Sequence, residues 1–196
     1  NHYVLSYNKE TALRYFPQAR EVIHYFEKVF GEYPFWEDGY KLVETPFAGM
    51  EHQSSIAYGN SFKMSGRYYM YDLVDYIILH ETAHEWWGNS LTACDGADVW
   101  LHESFATYSE VLYVEEKLGR LVSIDYLKKK RSYIGNKRPM VGPQHVNYWG
   151  FDDVYWKGAW VLHTLRSVLN NDSLFFKMIK DVQEHFRHSV VCTNEF

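Results

Sequence analysis

The run His80-Glu81-Thr82-Ala83-His84 decides how this chain is read, and it lies inside a longer stretch from Asp72 to Glu103. Leu73, Tyr76, Ile77, Leu79, Ala83, Trp86 and Trp87 put apolar residues at roughly helical spacing around it. Four residues advance a helix by about 400°, so His80 and His84 stand one above the other, ~6 Å apart along the axis. Two imidazoles so placed can share one metal ion. Glu81, between them, is near enough to hold a water beside that metal without displacing it. A string of this kind also arises by chance in a histidine-rich chain, so the third ligand decides. After eighteen further residues comes Glu103, within Trp100-Leu101-His102-Glu103-Ser104-Phe105-Ala106 on a second helical stretch. Two His and one Glu leave zinc an open fourth position, the arrangement of a catalytic rather than a structural site.

Working outward, 196 residues that are 46% hydrophobic can bury a substantial core, as one domain or two small lobes. A formal charge of −5 with no basic stripe argues against a nucleic-acid partner. No apolar run approaches the ~20 residues of a membrane span. The chain begins at Asn1 and closes on Thr193-Asn194-Glu195-Phe196, which reads as the cap of a further helix. The expectation is a piece of a longer protein, so any targeting segment would lie elsewhere and the compartment stays open. Cys94 and Cys192 are expected as two buried thiols rather than a disulfide. The 17 Tyr, 12 Phe and 7 Trp suggest an aromatic core, part of which could line a pocket for an apolar side chain.

Along the chain, Asn8 to Phe30 carries helical periodicity, with Pro17 at a first-turn position and Gly31 just past the end. Tyr40 to Glu44 reads as a strand, Phe47 to His52 as an extended edge segment, and Ser55 to Tyr58 as another strand. Ser61 to Met70 is a loop into the metal helix, which Gly88-Asn89 stops. Ser90 to Cys94 is a strand, and Asp98 caps a helix from Val99 to Leu118 that Gly119 closes. Helices over Ser123 to Ile134, Asp153 to Leu169 and Ser173 to Phe186 follow, with a long loop from Gly135 to Asp152 of the length that often carries function. Strands in the first half and helices in the second make an α+β layout. A cleft is expected between the lobes, with the metal helix at their junction.

Four motifs carry a family resemblance. His80-Glu81-Thr82-Ala83-His84-Glu85-Trp86-Trp87-Gly88-Asn89 and Asp98-Val99-Trp100-Leu101-His102-Glu103-Ser104-Phe105-Ala106-Thr107-Tyr108 resemble the zinc-binding segments of the aminopeptidase N family of gluzincin metallopeptidases. Gly49-Met50-Glu51 resembles its exopeptidase motif, and Tyr155-Trp156-Lys157-Gly158-Ala159 its catalytic tyrosine motif. They stand in the family's order at compatible spacings, and the flanks are compatible too. Ala48 and His52 depart from the usual Gly and Asn around the exopeptidase motif, and His102 and Ser104 from the usual Asn and Gly around the third ligand. No ligand or base is replaced, so the departures bear on pocket shape and preference more than on the reaction.

The resemblance implies a thermolysin-like catalytic domain over 1–196, with an α/β lobe near 1–95 holding a small mixed sheet and a mainly helical lobe near 96–196. It implies one zinc per chain on His80, His84 and Glu103, with Glu81 as general base and Tyr155 as hydrogen-bond donor to the developing oxyanion. Gly49 would let the backbone approach a peptide, Met50 would form an adaptable wall, and Glu51 would pair with a free α-ammonium. Glu110, two helical turns after Glu103 on the same face, is either an acceptor for a ligand's N–H or a surface salt-bridge residue. His2, His24, His145, His163, His185 and His188 are read as ordinary histidines.

The reading is therefore a zinc aminopeptidase acting on peptides with a free N-terminus, with N-terminal β and C-terminal helical domains expected around it in the full-length protein. The alternatives are a thermolysin-type endopeptidase, which Glu51 argues against, an epoxide-hydrolase relative, and an inactive peptide-binding homologue.

Overall fold

A proline divides the first helical stretch. Pro17 has no N–H to return to residue 13, so the periodicity from Asn8 to Phe30 yields two helices, Lys9–Tyr15 (α1) and Gln18–Phe30 (α2), preceded by the short strand His2–Tyr3 (β1). Pro17 occupies the cap position just ahead of α2, and Gly31 ends that helix at φ +102°. The computed structural model describes residues 1–63, 69–71, 73–146 and 152–196. Asp72, expected at the start of the metal helix, lies outside them, as do parts of the two expected loops, 64–68 and 147–151.

Leu42–Glu44 (β2), Gly49–Met50 (β3) and Ile56–Tyr58 (β4) join β1 in a mixed sheet of order β1-β2-β4-β3. The first two pairings are parallel and β3 runs antiparallel to β4, which leaves the Gly49–Met50 segment on the sheet's edge. Ile56, Ala57 and Tyr58 are all buried, as suits an inner strand between two neighbours.

The metal helix begins later than its apolar pattern suggests. Tyr69–Met70 (β5) and Val74–Asp75 (β6) pair antiparallel, so Leu73 and Val74 belong to a small hairpin. Asp75 then caps Tyr76–Ala83 (α3), its carboxylate accepting from the amides of Ile77 at 2.8 Å and Ile78 at 3.3 Å. Helix α3 ends at His84, and Trp86 and Trp87 lie in the turns beyond it, fully buried all the same.

Leu91–Ala93 (β7) leads into Trp100–Leu118 (α4), closed by Gly119 at φ +88°. Arg120–Lys129 (α5), Asp153–Leu169 (α6), Asp172–His185 (α7) and Ser189–Val191 (β8) complete the chain. Two expectations fail here. Asp98 does not cap α4; its carboxylate instead accepts from the Thr193 amide at 3.1 Å, from the Thr193 hydroxyl and from Gln144 at 2.7 Å. The cysteines are not free thiols: Cys94 and Cys192 form a disulfide, with Cα atoms 5.1 Å apart. Parallel pairing of β7 with β8 places Ala93 opposite Val191, which brings the next residue of each strand together.

Two apolar clusters meet at α3. Ile77 and Ile78 pack with Ala12, Phe16, Leu42, Ile56 and Tyr58, whereas Leu79 and Ala83 pack with the larger cluster of α2, α4, α6 and α7. The metal helix is therefore held from both sides. No helix among the described residues is long and apolar enough to cross a membrane.

Candidate metal centre

Helix α3 presents His80 and His84 towards the first turn of α4, where Glu103 stands. The two Nε2 atoms are 3.2 Å apart, and Glu103 Oε2 lies 3.3 Å from His80 Nε2 and 3.5 Å from His84 Nε2. A tetrahedral zinc with bonds of about 2.0–2.2 Å holds its donors about 3.3–3.6 Å apart, so this triangle fits one face of such a site. The outward ring nitrogens are already engaged: His80 Nδ1 with Glu110 Oε1 at 2.8 Å, and His84 Nδ1 with the Trp87 carbonyl at 2.8 Å. In its neutral form each ring thus spends its N–H outward and aims a lone pair inward. Three lone pairs converging at this range repel one another unless a proton or a metal ion sits among them, and the spacing and donor types suit a metal.

Charge reinforces the geometry. Burial pulls the His80 and His84 pKa values down, but Glu103, and for His80 also Glu110, outweighs it and raises both. Burial alone would raise the Glu103 carboxyl, yet His84 and His80 beside it hold it well below the usual carboxylate range. Glu110 is fully buried behind His80, and its second oxygen accepts from the Tyr126 hydroxyl at 2.5 Å. It is no surface salt-bridge residue. Tyr126, on α5, went unnoticed in the sequence, where no spacing ties it to the pentad.

Glu81 faces the edge strand. A Cβ on Gly49 would come within 2.6 Å of Glu81 Oε1 and 2.7 Å of Ile77 Cγ2, so only glycine lets β3 pass this close to the metal helix. Burial raises the Glu81 pKa, the charges of Glu51 and Glu103 add to the rise, and His80 and His84 oppose it. The structure brings Glu51 to the same place: one donor atom each from Glu51, Glu81 and His84 lie within 4.8 Å of one another. Met50 beside it is 41% exposed, open to an incoming ligand.

The Glu51 segment is tied to the end of the metal helix by residues the sequence did not single out for that task. Asn89 Nδ2 donates to the Glu51 carbonyl at 2.8 Å, while Glu85 accepts from the Ser54 amide at 2.8 Å and from the Tyr33 hydroxyl at 2.9 Å. Ser54 holds a left-handed φ of +56°, so the bond to Glu85 fixes a turn a serine seldom adopts.

Tyr155, at the start of α6, lays its ring near-parallel to that of His80, with centroids 6.2 Å apart. Burial, then the charge and hydrogen bonding of Glu103, raise its phenol above the ordinary value, which keeps it a proton donor. The departures from the family pattern divide in two. Ala48 and His52 are exposed. His102 instead accepts from the Ala93 amide at 2.7 Å, and burial with the nearby His84 lowers its pKa to about 4. Ser104 is fully buried between α4 and α6. A second donor group, Cys94, Asp98 and Cys192, is occupied by the disulfide itself.

The sequence profile described as the peptidase family M1 domain matches residues 15–196. A probable aminopeptidase 1 of Sulfurisphaera tokodaii is 30% identical over 171 residues, which is 79% of this chain and 22% of that protein. Aminopeptidase N of Rattus norvegicus is 32% identical over 128 residues, 58% of this chain and 13% of the relative. This chain thus spans about a fifth or less of the length of these curated relatives. The crystal structure of a mutant M1 zinc metallopeptidase from Deinococcus radiodurans, bound to a Tyr-Ser-Ala substrate, superposes with a TM-score of 0.72 at 24% identity, covering 89% of this chain and 38% of that one. The fold described above, a small mixed sheet followed by a helical region, is that of such catalytic domains. The chain belongs to peptidase family M1.

Proposed function

We propose that this chain is the catalytic domain of a zinc aminopeptidase that removes single residues from the free N-termini of peptides. The observation that carries it is the convergence of the His80, His84 and Glu103 donors beside two further carboxylates, Glu81 and Glu51. One zinc per chain would be held by His80, His84 and Glu103. When bound, it supplies a Lewis acid that polarises a carbonyl and makes water a nucleophile near neutral pH.

The remaining chemistry falls to the chain's own residues. Glu81, whose carboxyl burial raises above its ordinary value, takes the proton of the attacking water and returns it to the leaving amine. Tyr155, kept protonated, donates to the oxygen on which charge develops. Glu51 pairs with the substrate's α-ammonium and so sets the first residue over the site, and Gly49 and Met50 line the approach. Further domains on either side would add substrate contacts, in keeping with the small share of its relatives' length that this chain covers.

The test is hydrolysis of a panel of aminoacyl chromogenic amides by the whole protein, with and without chelator, alongside N-acetylated versions. Chelator-sensitive cleavage confined to free amines is expected. Equal cleavage of the acetylated amides would favour an endopeptidase, and no cleavage of either a binding module.

A further inference from the structure

Helices α4 and α6 meet at one unusually close point, one residue away from the site on each helix. Ser104 follows Glu103 directly, is fully buried, and donates its hydroxyl to the carbonyl of Val154 at 2.6 Å. Val154 in turn precedes Tyr155. A Cβ on Gly158 would fall 1.7 Å from Ser104 Oγ and 2.4 Å from Ser104 Cβ, so α6 rests on Ser104 at Gly158 with no room for another carbon. The resemblance noted above usually has Gly where this chain has Ser104, so the hydroxyl departs from the usual motif.

We infer that Ser104 is a positioning residue: its hydroxyl, bonded to Val154, sets the distance between the Tyr155 phenol and the His80–His84–Glu103 centre. The inference rests on the peptidase reading and deepens it. Glu103 precedes Ser104 and Tyr155 follows Val154, so each site residue is the chain neighbour of one partner in the Ser104–Val154 bond. Other contacts hold the start of α6 elsewhere: the Asp153 carboxylate accepts from the amides of Gly135 at 2.7 Å and Asn136 at 2.8 Å, and the Trp156 ring meets Tyr126 edge-on with centroids 5.8 Å apart. These contacts tie α6 to α5 and to the loop before it, not to α4. Deleting the Ser104 hydroxyl therefore leaves those contacts in place but removes the hydrogen bond that fixes the first turn of α6 against the helix bearing Glu103. An oxyanion donor works over a window of a few tenths of an ångström, and a 1 Å misplacement costs about 10²-fold. A partial shift should therefore cost roughly 5- to 20-fold in kcat.

The experiment crosses Ser104→Ala with Tyr155→Phe in the whole zinc-loaded protein. It measures kcat and KM on a free-amine peptide, and calorimetric affinity for a phosphinic dipeptide that mimics the tetrahedral state. Tyr155→Phe alone is expected to lower kcat about 10²- to 10³-fold, the usual effect of losing one oxyanion donor. Ser104→Ala should lower kcat and analogue affinity by the same roughly 5- to 20-fold, leave KM within about twofold, and do nothing further once Tyr155 is Phe. Equal fractional losses in both backgrounds would overturn the inference, as would an unchanged kcat with a lowered melting temperature, which marks a packing role only. A protein that neither cleaves peptides nor binds the analogue would refute the peptidase reading and this inference with it. One that does both, with additive variants, refutes the inference alone.

Discussion

Glu110→Ala is the perturbation whose size can be worked out most fully from the structure. The carboxylate is fully buried, with one oxygen 2.8 Å from His80 Nδ1 and the other 2.5 Å from the Tyr126 hydroxyl. Its removal strands two buried donors, each costing about 1–3 kcal/mol, so about 2–6 kcal/mol of stability should go. The effect on metal is separate. Without an anion behind it, His80 is a poorer ligand and its ring is no longer held to one tautomer and orientation. Zinc affinity should fall about 10- to 100-fold, or about 1.4–2.7 kcal/mol. Glu110→Gln keeps an acceptor for His80 and should fall between the two proteins. Zinc competition against a chromophoric chelator measures the affinity, and circular dichroism melts measure the stability. If Glu110→Ala binds zinc as tightly as the unmutated chain and melts at the same temperature, the support assigned to this pair is refuted.

Two further predictions concern the metal centre and an ion pair away from it. Glu81→Gln should keep zinc bound and lose the rate, whereas His84→Ala or Glu103→Ala should lose the zinc; metal analysis of the purified variants separates these outcomes, and a folded but zinc-free Glu81→Gln protein would count against the assignments. Asp172 is held below the usual carboxylate range by its hydrogen bonds to the nearly buried Arg166, at 2.8 and 2.7 Å. A depressed folded-state pKa contributes stability above the unfolded value of ~3.9 that is lost as pH falls through the folded one. Urea midpoints should therefore fall less between about pH 4 and pH 2 in Asp172→Asn than in the unmutated chain, and parallel curves would refute the linkage.

Much of the centre could be read without coordinates because its parts are local. His80, Glu81 and His84 follow one another at helical spacing, and Glu103 lies in the first turn of the next long helix at the motif's eighteen-residue interval, so spacing in the chain picked them out. Gly49, Glu51 and Tyr155 became legible only through resemblance, since nothing in their own surroundings marks an edge strand or a helix start as chemically special. What stayed hidden depends on contacts distant in sequence. Tyr126 reaches Glu110 from a separate helix, and the Cys94–Cys192 bridge depends on two short strands pairing across 98 residues. Asp98 has the residue type and place of a helix cap, but Thr193 and Gln144, far along the chain, claim its carboxylate. Leu73 fits a helical stripe equally well in a hairpin, until the Asp75 cap decides where the helix begins.

The aminopeptidase reading stands or falls on whether Glu51 meets the substrate's amine. A double-mutant-style cycle in the whole protein crosses Glu51→Ala with N-acetylation of the peptide and reads kcat/KM. Acetylation removes a charge-assisted bond and leaves a carboxylate crowded by Glu81 without its cation. The expected penalty is about 2–5 kcal/mol, roughly 30- to several-thousand-fold. Glu51→Ala should cost the free peptide a similar amount and hardly affect the acetylated one. A coupling energy below about 0.5 kcal/mol would mean that the two groups do not meet, and would contradict the exopeptidase assignment.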